Sequence, residues 1–447
     1  MKKIVFIIIG LIGIGLISCS DDFLEPGSHQ TKPFEEGVET TNDLHNLVKG
    51  IYSNMNTAEY YGRDMIVYGE IRSDNTNNDE STGRYINVGR LDMLANDEYA
   101  LDTWYNIYQC IQLANIAIDA DVTGNDPAKI DYHKGQAYTL RALFYFDLLR
   151  LYSTIYVDGY ELGVPLVTEF DKTGDADAPG RSSITDMKQQ IEDDFQMALN
   201  MMDPGYDGTK TEITVDAAKA LYSRYLLYEE KTAEAMNHVS SIINSGYELT
   251  AAPLYQSQWL NTETNESIFE IAFTSSDRLN TTSVGYMWHP AGYADFTFTD
   301  SLLALYESGE ARYPYTPNGV PMRYQDLNGT YNIRIIDYPE VILNYVEAAY
   351  HEGDPNGDID SLLNHLATTR GASPYSAATE ENILIERRKE LAGAGHRYFD
   401  LLRTENDIPD IADHISAPIP YGSEDLAFPI PEDEIDANPN IDVSDQN

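Results

Sequence analysis

From Asp43 to Leu391 one pattern keeps returning: apolar side chains three and four residues apart, the spacing that lines one face of an α-helix. Leu44, Leu47, Val48 and Ile51 carry it within Asp43 to Asn54. Trp104, Tyr108, Ile111 and Asn115 carry it next, followed by Ala137, Leu140, Phe144, Leu148 and Leu151 between Asp131 and Tyr152. After a break at Gly163-Val164-Pro165 it resumes from Ser182 to Met202 through Ile184, Met187, Ile191, Phe195 and Leu199. A helix pair is expected from Val215 to Ser245, and further helices from Asp358 to Arg370 and Glu380 to Leu391. Asp337 and Glu340 form a capping-box pattern before Val341-Ile342-Leu343, with Pro339 early in that helix where a missing N–H is harmless. The expected fold is therefore mostly α. Helix, short turn, helix, with alanines at crossings, is the manner of tetratricopeptide repeats, although no strict 34-residue period is present.

Residues 247–331 are different in kind, rich in Gly, Pro, Thr, Asn and aromatic residues, and are read as an irregular insertion. The expected organisation is a helical scaffold over about 38–246 and 332–447 that holds this insertion, all within one domain spanning 38–447.

What precedes the domain fixes its setting. Lys2 and Lys3 lead into an apolar run from Ile4 to Ile17 that stops at Cys19 and is followed by Ser20-Asp21-Asp22. The run is too short for a lasting membrane span and reads as a signal peptide over 1–18. Leu16-Ile17-Ser18-Cys19 reads as a lipobox, so Cys19 is the expected lipidation site and 19–37 the lipid anchor and tether. Several acyl chains on one residue anchor a protein firmly in a bilayer. With Cys19 acylated, only Cys110 remains of the two cysteines, so no intramolecular disulfide is available and stability rests on packing.

The formal charge of −44 repels nucleic acid, anionic lipid and acidic polymers and favours a neutral ligand. The 33 tyrosines offer flat apolar faces with a hydroxyl, suited to stacking on sugar rings, although many must be core tyrosines.

Catalytic signatures are missing. The nine histidines show no His-Glu-x-x-His spacing, and there is no Gly-x-Ser-x-Gly elbow. Glu386 and Glu390 lie on one helix face, but Arg387, Arg388 and Lys389 stand between them, which favours a salt-bridged helix over an acid/base pair. Asp354, Asn356, Asp358 and Asp360 alternate as calcium ligands can. Ile359 stands where the EF-hand glycine would be and His365 where its last glutamate would be, so a polar helix-start loop is preferred and no metal or cofactor is assigned.

Two segments suit carbohydrate capture, which needs aromatic platforms beside planar hydrogen-bonding groups. Tyr286, Trp288, His289 and Tyr293 form the first, in a loop that Gly285 and Gly292 are expected to keep open, with Trp288 its leading residue. The competing reading is a tryptophan packed on the scaffold. Arg72, Asp74 and Asn75 with Tyr85 form the second, where the alternative is an Asx-rich turn. Trp104 and Trp259 are assigned to the core. The hexapeptide Tyr145-Phe146-Asp147-Leu148-Leu149-Arg150 recurs at Tyr398 to Arg403, read as two helices on which Asp and Arg pair three residues apart.

Taken in order, these segments resemble the SusD/RagB family. Trp104-x3-Tyr108-x2-Ile111-x3-Asn115 is similar to its first signature, and Leu140-Arg141-Ala142-x2-Tyr145 with Gly163-Val164-Pro165-Leu166 to its second. Asn265 to Ile271, Tyr338 to Ala348, Glu386 to Leu391 with Arg397, Asp400, Leu401 and Arg403, and Phe428 to Pro431 with Asn438-Pro439-Asn440 resemble the later ones. The chain departs from the pattern at Ala394, where the family usually has an acidic residue, and at Asp337, where it often has a basic one.

The resemblance implies four tetratricopeptide-like helix pairs supporting a variable ligand-binding face. It also implies a surface-exposed, lipid-anchored outer-membrane protein that passes an oligosaccharide or polysaccharide to a SusC-like TonB-dependent β-barrel transporter, without being an enzyme. Peptide capture by the same architecture is the nearest alternative, and a surface glycan-degrading enzyme a more distant one.

Overall fold

A computed structural model describes residues 37–171, 177–314, 319–411 and 413–442; the signal peptide, Cys19 and nearly all of the tether lie outside the described residues. The longer helices are α1 (Thr41–Met55), α2 (Asp64–Ile71), α3 (Glu98–Asp119), α4 (Pro127–Tyr152), α5 (Ile184–Met201), α6 (Val215–Tyr228) and α7 (Thr232–Ile243). With them in chain order come β1 (Thr76–Asn78), β2 (Ser267–Ile271), a short helix α8 (Val284–Trp288), β3 (Phe296–Phe298) and β4 (Ile333–Asp337), then α9 (Tyr338–His351), α10 (Ile359–Thr369), α11 (Glu380–Glu390) and α12 (Arg397–Arg403). The protein is mostly helical, as its periodicity requires.

Side chains at the helix starts supply the caps that free N–H groups need. Thr40 and Asp43 close a full capping box on α1, and Asp97, Asp126, Ser183 and Thr214 cap α3 to α6. At α9 only half of the expected box forms. Asp337 accepts from the Glu340 N–H at 3.2 Å, while the Glu340 carboxylate turns inward to a two-pronged pair with Arg224 at 2.6 and 2.7 Å.

Helices stack beside their neighbours in sequence, α1 and α4 on α3, α5 on α4, α7 on α6, and α9 against α7, α10 and α11. The apolar faces read from the sequence meet in one core that includes Leu44, Ile51, Ile111, Leu140, Phe144, Ile191 and Phe195. Trp104 and Trp259 are both in the interior. The two hexapeptides lie in α4 and α12, each with its Asp–Arg pair three residues apart, and the Arg150 guanidinium sits 4.3 Å from both Phe146 and Phe399, one ring from each copy.

The segment 247–331 is tied to the scaffold by two small antiparallel sheets. β2 pairs with β4 at the entrance to α9, and β1 pairs with β3, so the polar loop after α2 is stitched to the aromatic loop after α8. That second sheet builds the site.

Candidate functional site

β1 and β3 are short, and the pleat sorts their side chains. Thr76 and Asn78 face inward opposite Phe298 and Phe296, while Asn77 and Thr297 point outward as a cross-strand pair joined at 3.3 Å. The sheet thus brings the two sequence candidates, 72–85 and 286–293, onto one edge of the molecule.

Burial then divides their residues. Trp288 is 2% exposed and packs edge-on against Phe296 at 5.5 Å and Phe298 at 4.9 Å. The cause is local: Ser283 caps α8, and its single turn aims Val284, Met287 and Trp288 inward together. The scaffold reading of this tryptophan therefore replaces the platform reading. Gly285 and Gly292 also act differently from expectation. A Cβ at Gly285 would lie 2.4 Å from the Asp326 carbonyl oxygen, and one at Gly292 would lie 2.2 Å from that of Tyr286, so both glycines permit close backbone approach where an open loop was expected.

In the second candidate, Arg72 is buried and donates to the Tyr398 hydroxyl at 3.1 Å and to the Asp425 and Leu426 carbonyls at 3.1 and 3.2 Å, fastening the C-terminal segment. Asn75 is buried between Glu70 and Arg388. Tyr85 is buried against Tyr99, with ring centroids 4.3 Å apart, and its hydroxyl donates to Asp64. Asp74, half-buried, pairs with Arg397 at 2.7 Å and Arg388 at 3.1 Å. Burial alone would push its carboxyl up, but the two guanidiniums outweigh that and hold it below the usual range. These residues are scaffold in this structure.

What remains at the surface is a ledge. Tyr293 is 37% exposed, and half-buried Tyr286 meets it edge-on with centroids 4.8 Å apart. The Arg84 guanidinium stacks over the Tyr293 ring at 3.5 Å and donates to Asp295 at 3.2 Å, a buried carboxylate that fixes the fork in place. Burial raises the Asp295 carboxyl, against the pull of Thr82 and Arg84. His289 accepts the Ala291 N–H at Nδ1 and so shapes the turn between the two tyrosines. Sequence reasoning missed Arg84, Asn77 and Thr297; the one available signal was that Arg84 adjoins Tyr85 in a loop already singled out. A groove of about 40 Å³, lined partly by Leu279, Val284, Tyr331 and Asn332, adjoins α8.

Elsewhere the acidic pairs are structural. Glu386 and Glu390 are enclosed, bound by Arg312 at 2.7 and 2.9 Å, with Arg370 adding a second cation to Glu390 at 2.8 Å. Burial opposes the charge on Glu390, yet the two arginines bring its carboxyl down to about 2. Their nearest cations come from distant segments; of the interleaved Arg387, Arg388 and Lys389, only Lys389 reaches back to Glu386, at 3.7 Å, while Arg387 and Arg388 reach Asp400 and Asp74. Asp358 accepts from the Tyr345 hydroxyl, and its N–H donates to Asp354, so this loop closes on itself. Among the described residues no group of three or more His, Cys, Asp or Glu side chains is arranged to hold a metal, and no helix is long and apolar enough to cross a membrane.

With fold and ledge described, comparison with known proteins is informative. The SusD-like family profile described as "Starch-binding associating with outer membrane" matches residues 22–227. SusD-like protein P38 of Formosa agariphila is 25% identical over 486 residues, covering 91% of this chain and 92% of that protein. A SusD superfamily protein of Bacteroides thetaiotaomicron superposes with a TM-score of 0.81 at 25% identity, covering 91% of this chain and 99% of that one. Surface glycan-binding protein A of Bacteroides fluxus has the same fold, with a TM-score of 0.73 at 21% identity over 89% of this chain and 97% of that one. The chain thus matches the SusD-like family profile over residues 22–227 and shares the fold of a SusD superfamily structure over 91% of its length.

Proposed function

We propose that this protein is a surface-exposed lipoprotein, anchored through Cys19, that captures a neutral oligosaccharide on the Tyr286–Tyr293 ledge and delivers it to a SusC-like TonB-dependent barrel without cleaving it. The observation that carries the reading is the exposed ring of Tyr293 with Arg84 stacked on it and Asn77 and Thr297 facing outward on the adjoining strands. A pyranose presents C–H faces to such a ring and hydroxyls to such a fork and amide. The family's printed description, starch binding with outer-membrane association, supports the ligand class, as does the glycan-binding name of the Bacteroides fluxus relative. Delivery without cleavage fits the enclosure of Glu386 and Glu390 by arginines, which leaves that carboxylate pair no access to substrate.

A glycan array followed by calorimetry on the hits tests the reading. Binding of a neutral oligosaccharide with no release of reducing ends is the expected result. No binding to any neutral glycan, or turnover that a carboxylate substitution abolishes, would overturn it.

A further inference from the structure

The segment 79–92 serves two places on the molecule. Arg84 in its first half reaches the ledge, while Arg90 and Asp92 at its end form one wall of a separate cleft of about 570 Å³. The opposite wall is the segment 413–420, with Asp425 at the end. The volume is that of a site for a sugar-sized guest.

The side chains around this cleft carry a net negative charge. Arg90 is engaged by Glu80 in a two-pronged pair, which cancels its charge. Three carboxylates remain in the lining. Asp425 accepts from the Ser423 hydroxyl at 3.0 Å, Asp92 acts on Arg90 only as a more distant charge, and among the described residues no ion pair reaches Asp413. Such a lining repels anions.

A second observation is independent of that charge. His414 lines the cleft but is only 8% exposed, and its Nε2 lies 2.8 Å from the Ile71 carbonyl oxygen. A carbonyl only accepts, so Nε2 carries the proton and Nδ1 is a bare acceptor. Burial lowers the ring's proton affinity and keeps it neutral. Nδ1 is buried with no hydrogen-bond partner among the described residues. In an imidazole Nδ1 lies opposite the Nε2–Cδ2 bond. That bond faces Ile71 and Gly89, where a Cβ on the glycine would lie 3.1 Å from Cδ2 and 3.7 Å from Nε2, so Nδ1 is turned toward the cleft. An orphaned acceptor at the base of an acidic cleft calls for a donor that also brings positive charge.

An ammonium supplies both, with three N–H donors and a charge to meet the carboxylates. The space is far larger than one ion, and its carboxylates are not arranged to hold a metal. Ile415 and Pro418 give the cleft an apolar wall suited to the C–H face of a ring.

We infer that this cleft seats a pyranose unit bearing a protonated amine, with the ammonium directed to Asp92 and Asp413 and the ring against Ile415 and Pro418. The inference rests on the glycan-capture reading and adds to it: the ledge takes a neutral unit, and the cleft selects a glycan that also contains an amino sugar.

The test uses the full-length protein and monosaccharides, so that an unknown linkage plays no part. Glucosamine, N-acetylglucosamine and glucose are titrated at pH 6 and constant ionic strength, with binding read by calorimetry or ligand-observed NMR. Glucosamine is expected to bind tightest, by roughly fivefold, the gain of two partly exposed ion pairs. Asp92→Asn with Asp413→Asn changes two surface side chains and is expected to bring glucosamine to the level of glucose. Equal binding of the three sugars, or a glucosamine preference that the paired substitution leaves intact, would overturn the inference. So would equally tight binding of lysine methyl ester, which would mean attraction of any ammonium with no seat for the ring. Tyr293→Ala, measured on an amine-free glycan from the array, tests the ledge by itself, so a failure at the cleft and a failure of the glycan reading give different results.

Discussion

Two arginine-on-aromatic stacks in this protein use the same chemistry for opposite ends. Trp259 lies under Arg334 at 4.1 Å and Arg323 at 4.4 Å and is 8% exposed; Tyr293 lies under Arg84 at 3.5 Å with more than a third of its surface in solvent. The interior guanidiniums are tied to buried acids, Arg334 to Glu266 and Glu270 and Arg323 to Asp337, so that stack is closed on itself and can only hold the β2–β4 junction in place. Among the described residues Arg84 pairs with one acid, Asp295, and its side chain is still 32% exposed, which leaves an edge of the fork and the ring beside it able to meet a ligand. A cation–π contact therefore says nothing about function until its charge partners and its access to solvent are counted.

The comparison predicts that interior substitutions cost folding and ledge substitutions cost binding. The largest folding loss belongs to the arginine network behind Trp259. Arg370→Ala takes one of two arginines from each of two buried carboxylates, leaving Glu266 with Arg334 and Glu390 with Arg312, and the two lost pairs together are expected to lower stability by about 3–5 kcal/mol in denaturant titration. A loss under 1 kcal/mol would mean that water reaches these carboxylates and that the interior is less closed than described.

Next comes Trp288→Ala, which empties the space between Phe296 and Phe298 and is expected to cost about 3–5 kcal/mol. Binding would fall only as the fold does. A Trp288→Phe variant of near-normal stability should keep its affinity, and a selective loss of affinity there would return this residue to the site.

The helical scaffold was legible because long helices repeat their apolar spacing over several turns, so each face of α1, α4 and α5 was visible from Leu44, Leu140 or Ile191 onward. The site was half legible. Both of its segments were found, but their residues were ranked by side-chain type, and type does not decide exposure. Trp288 sits in a helix of one turn, too short for periodicity to reveal which way it points. Asn77 and Thr297 meet across 220 residues of chain through strands three residues long, a pairing no local pattern announces. Arg72 looked like a ligand-binding arginine because its partners Tyr398, Asp425 and Leu426 are distant in sequence.

A smaller effect separates the interior by pH. Burial raises the Asp337 carboxyl from 3.8 to about 6, against the opposing pull of Arg323 and Arg334. The folded state then keeps this proton over a range in which the unfolded chain has released it. Its contribution is complete below about pH 4 and is lost as pH rises through 6, roughly 2–3 kcal/mol in all. Asp337→Asn keeps the side-chain cap on α9 and removes the titration. The difference in stability between variant and wild type should therefore move in the variant's favour from pH 4 to pH 7. A difference that stays flat would mean the carboxylate is fully compensated by its arginines, and the interior closure would then be electrostatically neutral at that point.

The ledge carries the smallest effect on folding and the one that bears on function. Tyr293→Ala removes a ring that is partly in solvent and whose stacked cation, Arg84, retains Asp295, so unfolding should shift by about 0.5 kcal/mol or less. Affinity for the glycan should fall by about tenfold, the ~1–2 kcal/mol of a stacking face with an adjacent cation. Arg84→Lys sharpens the point: it keeps the charge on Asp295 but loses the planar fork, so it should weaken ligands with adjacent hydroxyls more than those without. Calorimetry on the three proteins reads both quantities under one set of conditions. If Tyr293→Ala instead unfolds the protein while leaving affinity per folded molecule unchanged, the ledge is as structural as the Trp259 stack, and the contrast between the two regions disappears.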